Sequence, residues 1–323
     1  MDDTRRFGAP VPDFVPPPRP GPGALEGHLV RLEGLDADLH AADLHRAFAE
    51  DDRLWDYLPY GPFTSAARYH RWVKDMAGGP DPVFYALRSR ATGHCGGVAS
   101  FLRITPEAGS IEMGHICIAP QMQRSPAATE ALYLMMAWAF GAGYRRCEWK
   151  CNACNLPSRR AGQRLGFSYE GIFRQAAVIK GRNRDTAWFA CIDAEWPALK
   201  ECFETWLSPA NFDAAGQQKE RLSDLTRLVR AASDPALYRA AGAGLPPGRR
   251  RRAGRPPCPY PAGRERGLPP SGGPKAGGAA ARRAATSAAS CGSASAVSAA
   301  CPAARSRSRS WAERARLPRK AAT

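Results

Sequence analysis

The chain lacks any apolar run long enough to cross a lipid bilayer. None of its 323 residues belongs to a stretch that approaches the ~18 consecutive apolar positions of a membrane-spanning helix. Residues 1–23 are polar and rich in proline, so the apolar segment of a secretion signal is missing as well. We therefore expect a cytoplasmic protein that has no membrane partner.

A regular cysteine pattern is also missing. The ten cysteines are irregularly spaced, and the chain is too long for a small disulfide scaffold, so we expect reduced thiols. Cys151 and Cys154 form a C-x-x-C pair, but neither a second pair nor a histidine at zinc spacing lies nearby. The sequence therefore predicts no metal site.

Excess charge is missing from most of the chain, although the whole carries a formal net charge of +16. Residues 231–323 hold 18 basic and 3 acidic side chains, a net of +15. Of the 46 basic and 30 acidic side chains in total, 28 basic and 27 acidic ones remain in residues 1–230, a net of +1. The basicity that would suggest a nucleic-acid partner therefore belongs to the C-terminal segment.

Residues 234–323 form a tail made mostly of Ala, Arg, Pro, Gly and Ser. They contain too few large apolar side chains to build a core, so we expect disorder. Two arginine-rich stretches, Arg249–Arg252 and Arg305–Ser310, leave open an alternative in which the tail binds nucleic acid non-specifically, through charge alone. A second alternative is that a shifted reading frame of a GC-rich gene encodes the tail.

Residues 25–210 show the hydrophobic patterns of one domain with both helices and strands. The predicted strands are 28–32, 83–88, 96–104, 110–118, 144–151, 167–179 and 186–192. The predicted helices are 36–50, 65–77, 126–142, 158–165 and 195–207. Short links between the strands of residues 83–118 favour an antiparallel meander. Residues 1–24 predict an extended proline-rich lead-in, and residues 211–233 a short helical extension.

A strand, a short polar loop and a helix start follow one another between Ile116 and Ala131. Ser125 can cap the helix, and Pro126 suits its first turn because the missing N–H is not needed there. The alanines that follow are small enough to let a ligand approach the backbone. Free N–H groups and the positive helix end make this segment a predicted pyrophosphate site.

Three segments resemble the GNAT superfamily of N-acetyltransferases. Residues 123–128, Gln-Arg-Ser-Pro-Ala-Ala, are similar to its Q/R-x-x-G-x-G/A coenzyme A loop, with Pro126 where glycine is usual. Residues 155–174 contain Asn, Ser, Leu-Gly-Phe and Glu-Gly at the spacing of a motif in the ribosomal-protein N-terminal acetyltransferase branch. Residues 181–188 look like a loop and strand common near that branch.

The resemblance implies a fold, a reaction and a cofactor. The fold is an α/β (α+β) one, a mixed central sheet with an antiparallel N-terminal meander and flanking helices over residues 25–210. The reaction moves an acetyl group from acetyl-CoA to an amine, without a metal. The acceptor is left open among a protein N-terminus, a polyamine-like molecule and an antibiotic amine. A GNAT-fold protein that binds acyl-CoA without catalysis stays as an alternative because of Pro126.

The resemblance also implies roles for individual residues. Acetyl-CoA would lie in a gap between the strand 110–118 and the next parallel strand, bonded by backbone groups of Ile116 and Ile118 and met by Asn155 from the other side. The loop residues expected to hold it are Gln123, Arg124, Ser125, Pro126, Ala127, Ala128 and Thr129. Ser158 matches the family position that protonates the leaving thiolate.

Strand alternation adds a second catalytic candidate, Glu112. A period of two places Glu112 on the face of Ile116 and Ile118, where it could accept the amine proton, and His115 on the opposite face as a packed core histidine. Simpler roles stay open: Ser158 could only cap its short helix, and Glu112 could be a solvated carboxylate. The residues of the final turn, Arg182, Arg184 and Asp185, could shape the acceptor mouth or form an ordinary hairpin tip.

Overall fold

The computed structural model describes residues 7–242. Most of the predicted tail, including its two arginine-rich stretches, lies in residues 243–323, outside the described part. The disorder predicted there stays a prediction. Within residues 7–242, no helix has the length and apolar character needed to cross a bilayer.

An eight-stranded sheet forms the centre of the described chain, in the spatial order β1-β2-β3-β4-β5-β6-β8-β7. The strands are β1 (Leu25–Glu26), β2 (Val30–Gly34), β3 (Val83–Ser89), β4 (Cys95–Thr105), β5 (Ser110–Ile118), β6 (Arg146–Asn152), β7 (Ser168–Ile179) and β8 (Arg182–Ile192). Neighbouring strands run antiparallel, except β5 and β6, which are parallel. The predicted mixed sheet, with β3 to β5 as its meander, is therefore confirmed.

Helices cover both faces of the sheet. They are α1 (Ala37–Phe48), α2 (Ala66–Met76), α3 (Pro126–Gly141), α4 (Leu156–Arg164), α5 (Trp196–Leu207), α6 (Leu222–Thr226) and α7 (Pro235–Gly242). One apolar cluster, the α3 core, joins the sheet to α3 and α5 through residues such as Met135 and Phe203. A second, the α1–α2 core, joins it to α1 and α2 through Leu44 and Tyr69. The predicted arrangement of flanking helices is confirmed.

The final hairpin is tighter than the sequence predicted. Only Lys180 and Gly181 connect β7 to β8, and both have positive φ, 49° and 72°. Two positive φ angles are what a type I′ turn requires, and its twist matches that of the flanking strands. Arg182 and Asn183, predicted as part of the turn, are therefore the first residues of β8.

The proline-rich lead-in runs along the body without helix or strand in residues 7–24. The Tyr85 hydroxyl donates to the Gly21 carbonyl at 2.6 Å, and the Tyr144 hydroxyl donates to the Pro18 carbonyl at 3.2 Å. Arg19 donates to the Ile104 carbonyl at 3.2 Å. An extended proline-rich backbone leaves its carbonyl groups free for such bonds. The lead-in is thus fastened to the sheet rather than free of it.

The chain stays packed beyond Ser233, where the sequence predicted the tail to begin. Asp234 is 0% exposed and accepts two hydrogen bonds from Arg159 of α4, each 2.6 Å long. Its N–H donates to the side-chain oxygen of Gln163 at 2.7 Å. Helix α7 follows directly. The predicted boundary before residue 234 therefore falls inside a packed segment, and we propose that the folded domain includes α7.

Candidate active site

The parallel strands β5 and β6 separate in the middle of the sheet. Their pairing covers only residues 110–113 and 146–149. Directly afterwards β5 carries a β-bulge, because one residue more lies between Gly114 and Cys117 than between their partners on β4. A bulge bends its strand and increases the local twist. Beyond this point β5 therefore diverges from β6.

The bulge places Glu112 on the opposite face from Ile116 and Ile118. Met113 packs in the α3 core before the bulge, and Ile116 and Ile118 pack against that core after it. Glu112 therefore faces the α1–α2 side. The prediction from alternation is wrong because one extra residue shifts the period, so every later side chain changes face. The extra position is taken by His115, which has a left-handed backbone with φ 51°.

Glu112 belongs to a network of ion pairs. Its carboxylate binds Arg103 at 2.7 Å and Lys150 at 3.0 Å, and its side chain is only 4% exposed. Lys150 also pairs with Glu148 at 2.6 Å. Burial raises the pKa of Glu112, while Lys150 and Arg103 act in the opposite direction. Its burial excludes the alternative of a solvated carboxylate, and Glu112 does not line the cleft described below.

His115 is a packed, neutral histidine. Its ring lies against those of Tyr60 and Phe84, with centroids 5.6 Å and 5.2 Å away, and its Nδ1 is 3.0 Å from the Tyr60 hydroxyl. Burial lowers the pKa of His115 to about 4. The predicted packing role agrees with this environment. The Phe84 contact puts His115 on the α1–α2 side, opposite Ile116 and Ile118 as predicted, but on the same side as Glu112 and not on the opposite one.

The separation of the strands opens a cleft of about 1290 Å³. The predicted site residues that line it are Ile116, Ile118, Gln123, Asn155 and Ser158. The other predicted cofactor residues form the adjoining loop and helix start, namely Arg124, Ser125, Pro126, Ala127, Ala128 and Thr129. The structure thus brings together residues that lie more than thirty positions apart in the chain.

The loop between β5 and α3 presents backbone donors. The hydroxyl of Ser125, the N-cap, accepts the Ala128 N–H at 3.1 Å, and Pro126 is the first residue of the helix. Within residues 7–242, the N–H groups of Arg124 and Ala127 have no protein acceptor. Two free donors at the positive end of a 16-residue helix fit the predicted pyrophosphate site.

Three residues of this segment make contacts within the protein that the sequence did not predict. Ala128 is buried in the α3 core, so its small side chain serves packing and not ligand access. Thr129 is buried too, and its hydroxyl accepts a hydrogen bond from Arg164 at 3.1 Å. The Gln123 side chain folds back and donates to the Ile118 carbonyl at 2.8 Å, which joins the loop to the end of β5.

Ser158 lies at the cleft on α4. Asn155 caps this helix, since its side-chain oxygen accepts the Ser158 N–H at 3.2 Å. The alternative in which Ser158 is only the helix cap is therefore excluded. The Trp149 indole donates to the Ser158 hydroxyl at 3.2 Å. Because that bond uses an acceptor lone pair, the hydroxyl hydrogen stays available to another partner.

Cys151 lies beside Ser158 but has the character of an inert thiol. Burial raises the pKa of Cys151 to about 11, although a hydrogen bond with Ser158 acts in the opposite direction. A protonated thiol is a poor nucleophile and a poor metal ligand. In the part of the chain that the structure describes, no three His, Cys, Asp or Glu side chains come together as a metal site.

The opposite wall of the cleft comes from segments that no sequence motif marked. A 3₁₀ turn at Asp52–Trp55 follows α1, and the Trp55 carbonyl accepts a hydrogen bond from Lys180 at 2.8 Å. This bond ties the β7–β8 hairpin to the turn. Asp51 and Arg53 pair at 2.8 Å, and both line the cleft together with residues of the hairpin. The only sequence signal for this wall was the cluster of charges at the hairpin tip.

Comparisons with known proteins point to one family. The family profile described as "Acetyltransferase (GNAT) domain" matches residues 30–168. The crystal structure of a GCN5-related N-acetyltransferase from Brucella melitensis is 44% identical, with a TM-score of 0.66, over 67% of this chain and 100% of that one. A probable acetyltransferase of the GNAT family from Chromobacterium violaceum ATCC 12472 is 36% identical, with a TM-score of 0.57, over 60% and 98%. No curated protein matches the chain.

Proposed function

This chain belongs to the GNAT acetyltransferase family, and from that premise we propose that it transfers the acetyl group of acetyl-CoA directly to an amine. The observation that carries the proposal is the gap between β5 and β6, with Ser158 and its Trp149 partner at the edge of that gap. Direct transfer requires both substrates in one cleft, and holding them together is worth ~7–11 kcal/mol of barrier in favourable cases.

An unpaired strand edge supports the placement of acetyl-CoA. Beyond Met113, no described strand pairs with the edge of β5 that faces β6. The N–H groups of Ile116 and Ile118 and the Ile116 carbonyl are thus available to the pantetheine arm, whereas the Ile118 carbonyl already accepts a bond from Gln123. One N–H there can polarise the thioester oxygen. The free N–H groups of Arg124 and Ala127 are available to the pyrophosphate.

Ser158 supplies the proton that the leaving group needs. As the amine nitrogen bonds to the thioester carbon, the carbon–sulfur bond breaks and the sulfur leaves with its electron pair. Ser158 donates its hydroxyl proton to that sulfur, and the proton lost by the amine restores the balance through solvent. The Trp149 indole holds the Ser158 oxygen in place during the transfer.

No protein base is included in this mechanism. Glu112 was the sequence candidate, but two cations hold its carboxylate on the face away from Ile116 and Ile118. An amine that enters as the free base needs no carboxylate to attack, and it loses its proton to water afterwards. The assignment of Glu112 as a base is therefore withdrawn.

Release of free thiol from acetyl-CoA, followed over a panel of amines, tests the proposed reaction. The panel contains peptides with free N-termini, polyamines and antibiotic amines, and mass spectrometry identifies the products. We expect CoA and an acetylated amine to form in equal amounts. Binding of acetyl-CoA without transfer to any amine would contradict the proposal and support the alternative of a non-catalytic acyl-CoA-binding protein.

A further inference from the structure

Arg184 lies in the cleft wall close to the reacting end. It is on β8, two residues before Thr186, whose register partner Asn152 is the last residue of β6. Arg184 therefore stands just past the end of β6, and it lines the same cleft as Ser158.

One N–H donor of the Arg184 guanidinium lacks an acceptor among the described residues. Its Nε is buried and has no hydrogen-bond partner, and no carboxylate among residues 7–242 lies within ion-pair distance of it. The acidic side chains nearest to Arg184 in the sequence and in the Glu112 ion-pair network already bind other groups. Asp185 accepts the Gln175 N–H at 2.7 Å and the Asn183 amide at 3.0 Å, and Glu112 is held by its two cations.

An unpaired guanidinium in a cleft is costly for the free protein. Burial lowers the pKa of Arg184, and the buried Nε has no acceptor among the described residues to offset the cost of burial. A guanidinium keeps its charge in proteins, so the cost is not relieved by loss of a proton. Lys180 and Arg182 line the same wall, and Asp51, which also belongs to it, is already paired with Arg53. This wall therefore offers a planar donor group to an anion.

We propose that Arg184 binds a carboxylate of the acceptor, so that the acceptor is an amine that also carries a carboxylate, as an amino acid or short peptide does. This inference rests on the proposed acetyl transfer. A guanidinium and a carboxylate match as a bidentate pair, and such a pair would orient the amine toward the thioester. The phosphates of CoA have their own donors at the start of α3, which leaves Arg184 for the other substrate.

Calorimetry on the full-length protein loaded with CoA tests the inference without turnover. The probes are N-acetylated amino acids and dipeptides, each paired with its carboxamide, which has the same shape and no charge. The variants are Arg184→Gln and, as a matched control, Arg174→Gln, which removes the same charge from an exposed site on the neighbouring strand β7. Acetyl-CoA affinity, measured on each variant, checks that the cofactor site is intact.

We expect the wild-type protein to bind at least one carboxylate about 10- to 150-fold more tightly than its carboxamide, the range of a hydrogen bond to a charged group. Arg184→Gln removes that preference, and Arg174→Gln keeps it. The inference is overturned when the wild type prefers no carboxylate, when Arg184→Gln keeps the preference, or when Arg184→Gln weakens acetyl-CoA instead. A carboxylate preference in a protein that acetylates no amine would refute the proposed reaction alone.

Discussion

Three neighbours define the environment of Ser158. Asn155 takes over the capping of α4, Trp149 donates to the hydroxyl, and Ser158 in turn lowers the pKa of the Cys151 thiol, which burial raises to about 11. The Trp149 bond uses an acceptor lone pair of the Ser158 oxygen, so the hydroxyl hydrogen stays available to a leaving thiolate.

Replacement of Ser158 by alanine is expected to lower kcat by about 10²- to 10⁴-fold, the usual range for general acid–base assistance. Acetyl-CoA affinity should change little, because the interaction is made mainly in the transition state. Steady-state kinetics and calorimetry separate the two quantities. Ser158→Thr, which keeps a hydroxyl, should retain part of the rate. A wild-type kcat in Ser158→Ala would mean that the reaction needs no proton from this residue.

Glu112 shows why the orientation of a single strand residue could not be predicted from the sequence. Alternation assigns it to the wrong face because a bulge adds one position that no apolar pattern records. The only local signal was Gly114 followed by His115, since histidine is enriched among left-handed positions. Ser158 lies on α4 at the cleft, as the motif predicts, because the start of a helix has fewer possible registers than a strand.

Helix α4 is anchored by the C-terminal segment. It carries Arg159 next to Ser158, and the Arg159 side chain is 1% exposed. Arg159 donates to Asp234 and, at 2.7 Å, to the Ala153 carbonyl. A buried ion pair adds little net stability compared with apolar residues, but loss of one partner leaves a charge in the interior. The segment around Asp234 therefore holds the helix that presents Ser158.

Asp234→Ala should lower the free energy of unfolding by about 3–5 kcal/mol, since it leaves the buried Arg159 charge without its partner. A chain that ends at Ser233 should lose at least as much relative to the full-length protein. Urea denaturation measures both changes. Asp224→Ala, an exposed site on α6, is the control and should change stability by no more than about 0.5 kcal/mol. A chain ending at Ser233 that is as stable as the full-length protein would contradict a structural role for the segment around Asp234.

Elements with strong periodicity were predicted well, and those defined by distant contacts were not. The caps at Asp36, Ser65 and Ser125 are local signals, and each begins a helix where the sequence placed one. The tail boundary failed by contrast, because composition changes at Pro235 while the ion pair of Asp234 reaches Arg159, 75 positions away. No local pattern reports such a contact.

The family could be predicted for the molecule as a whole, but the acceptor could not. Coenzyme A motifs describe loops and helix starts, which keep their sequence signature, and the family assignment from them is confirmed. The cleft wall that we propose for the acceptor joins the turn at 51–55 to the hairpin at 180–184, and its residues become neighbours only on folding. Kinship with the ribosomal-protein branch and a cytoplasmic location stay predictions.

The placement of acetyl-CoA between β5 and β6 underlies every role proposed above, and hydrogen–deuterium exchange on the full-length protein measures it directly. With acetyl-CoA added, exchange should slow in residues 116–118 and 123–127, where free backbone groups meet the ligand. Exchange in α7 and along the outer strand β7 should not change. Protection confined to other segments, with 116–118 and 123–127 unaffected, would show that this cleft is not the acetyl-CoA site.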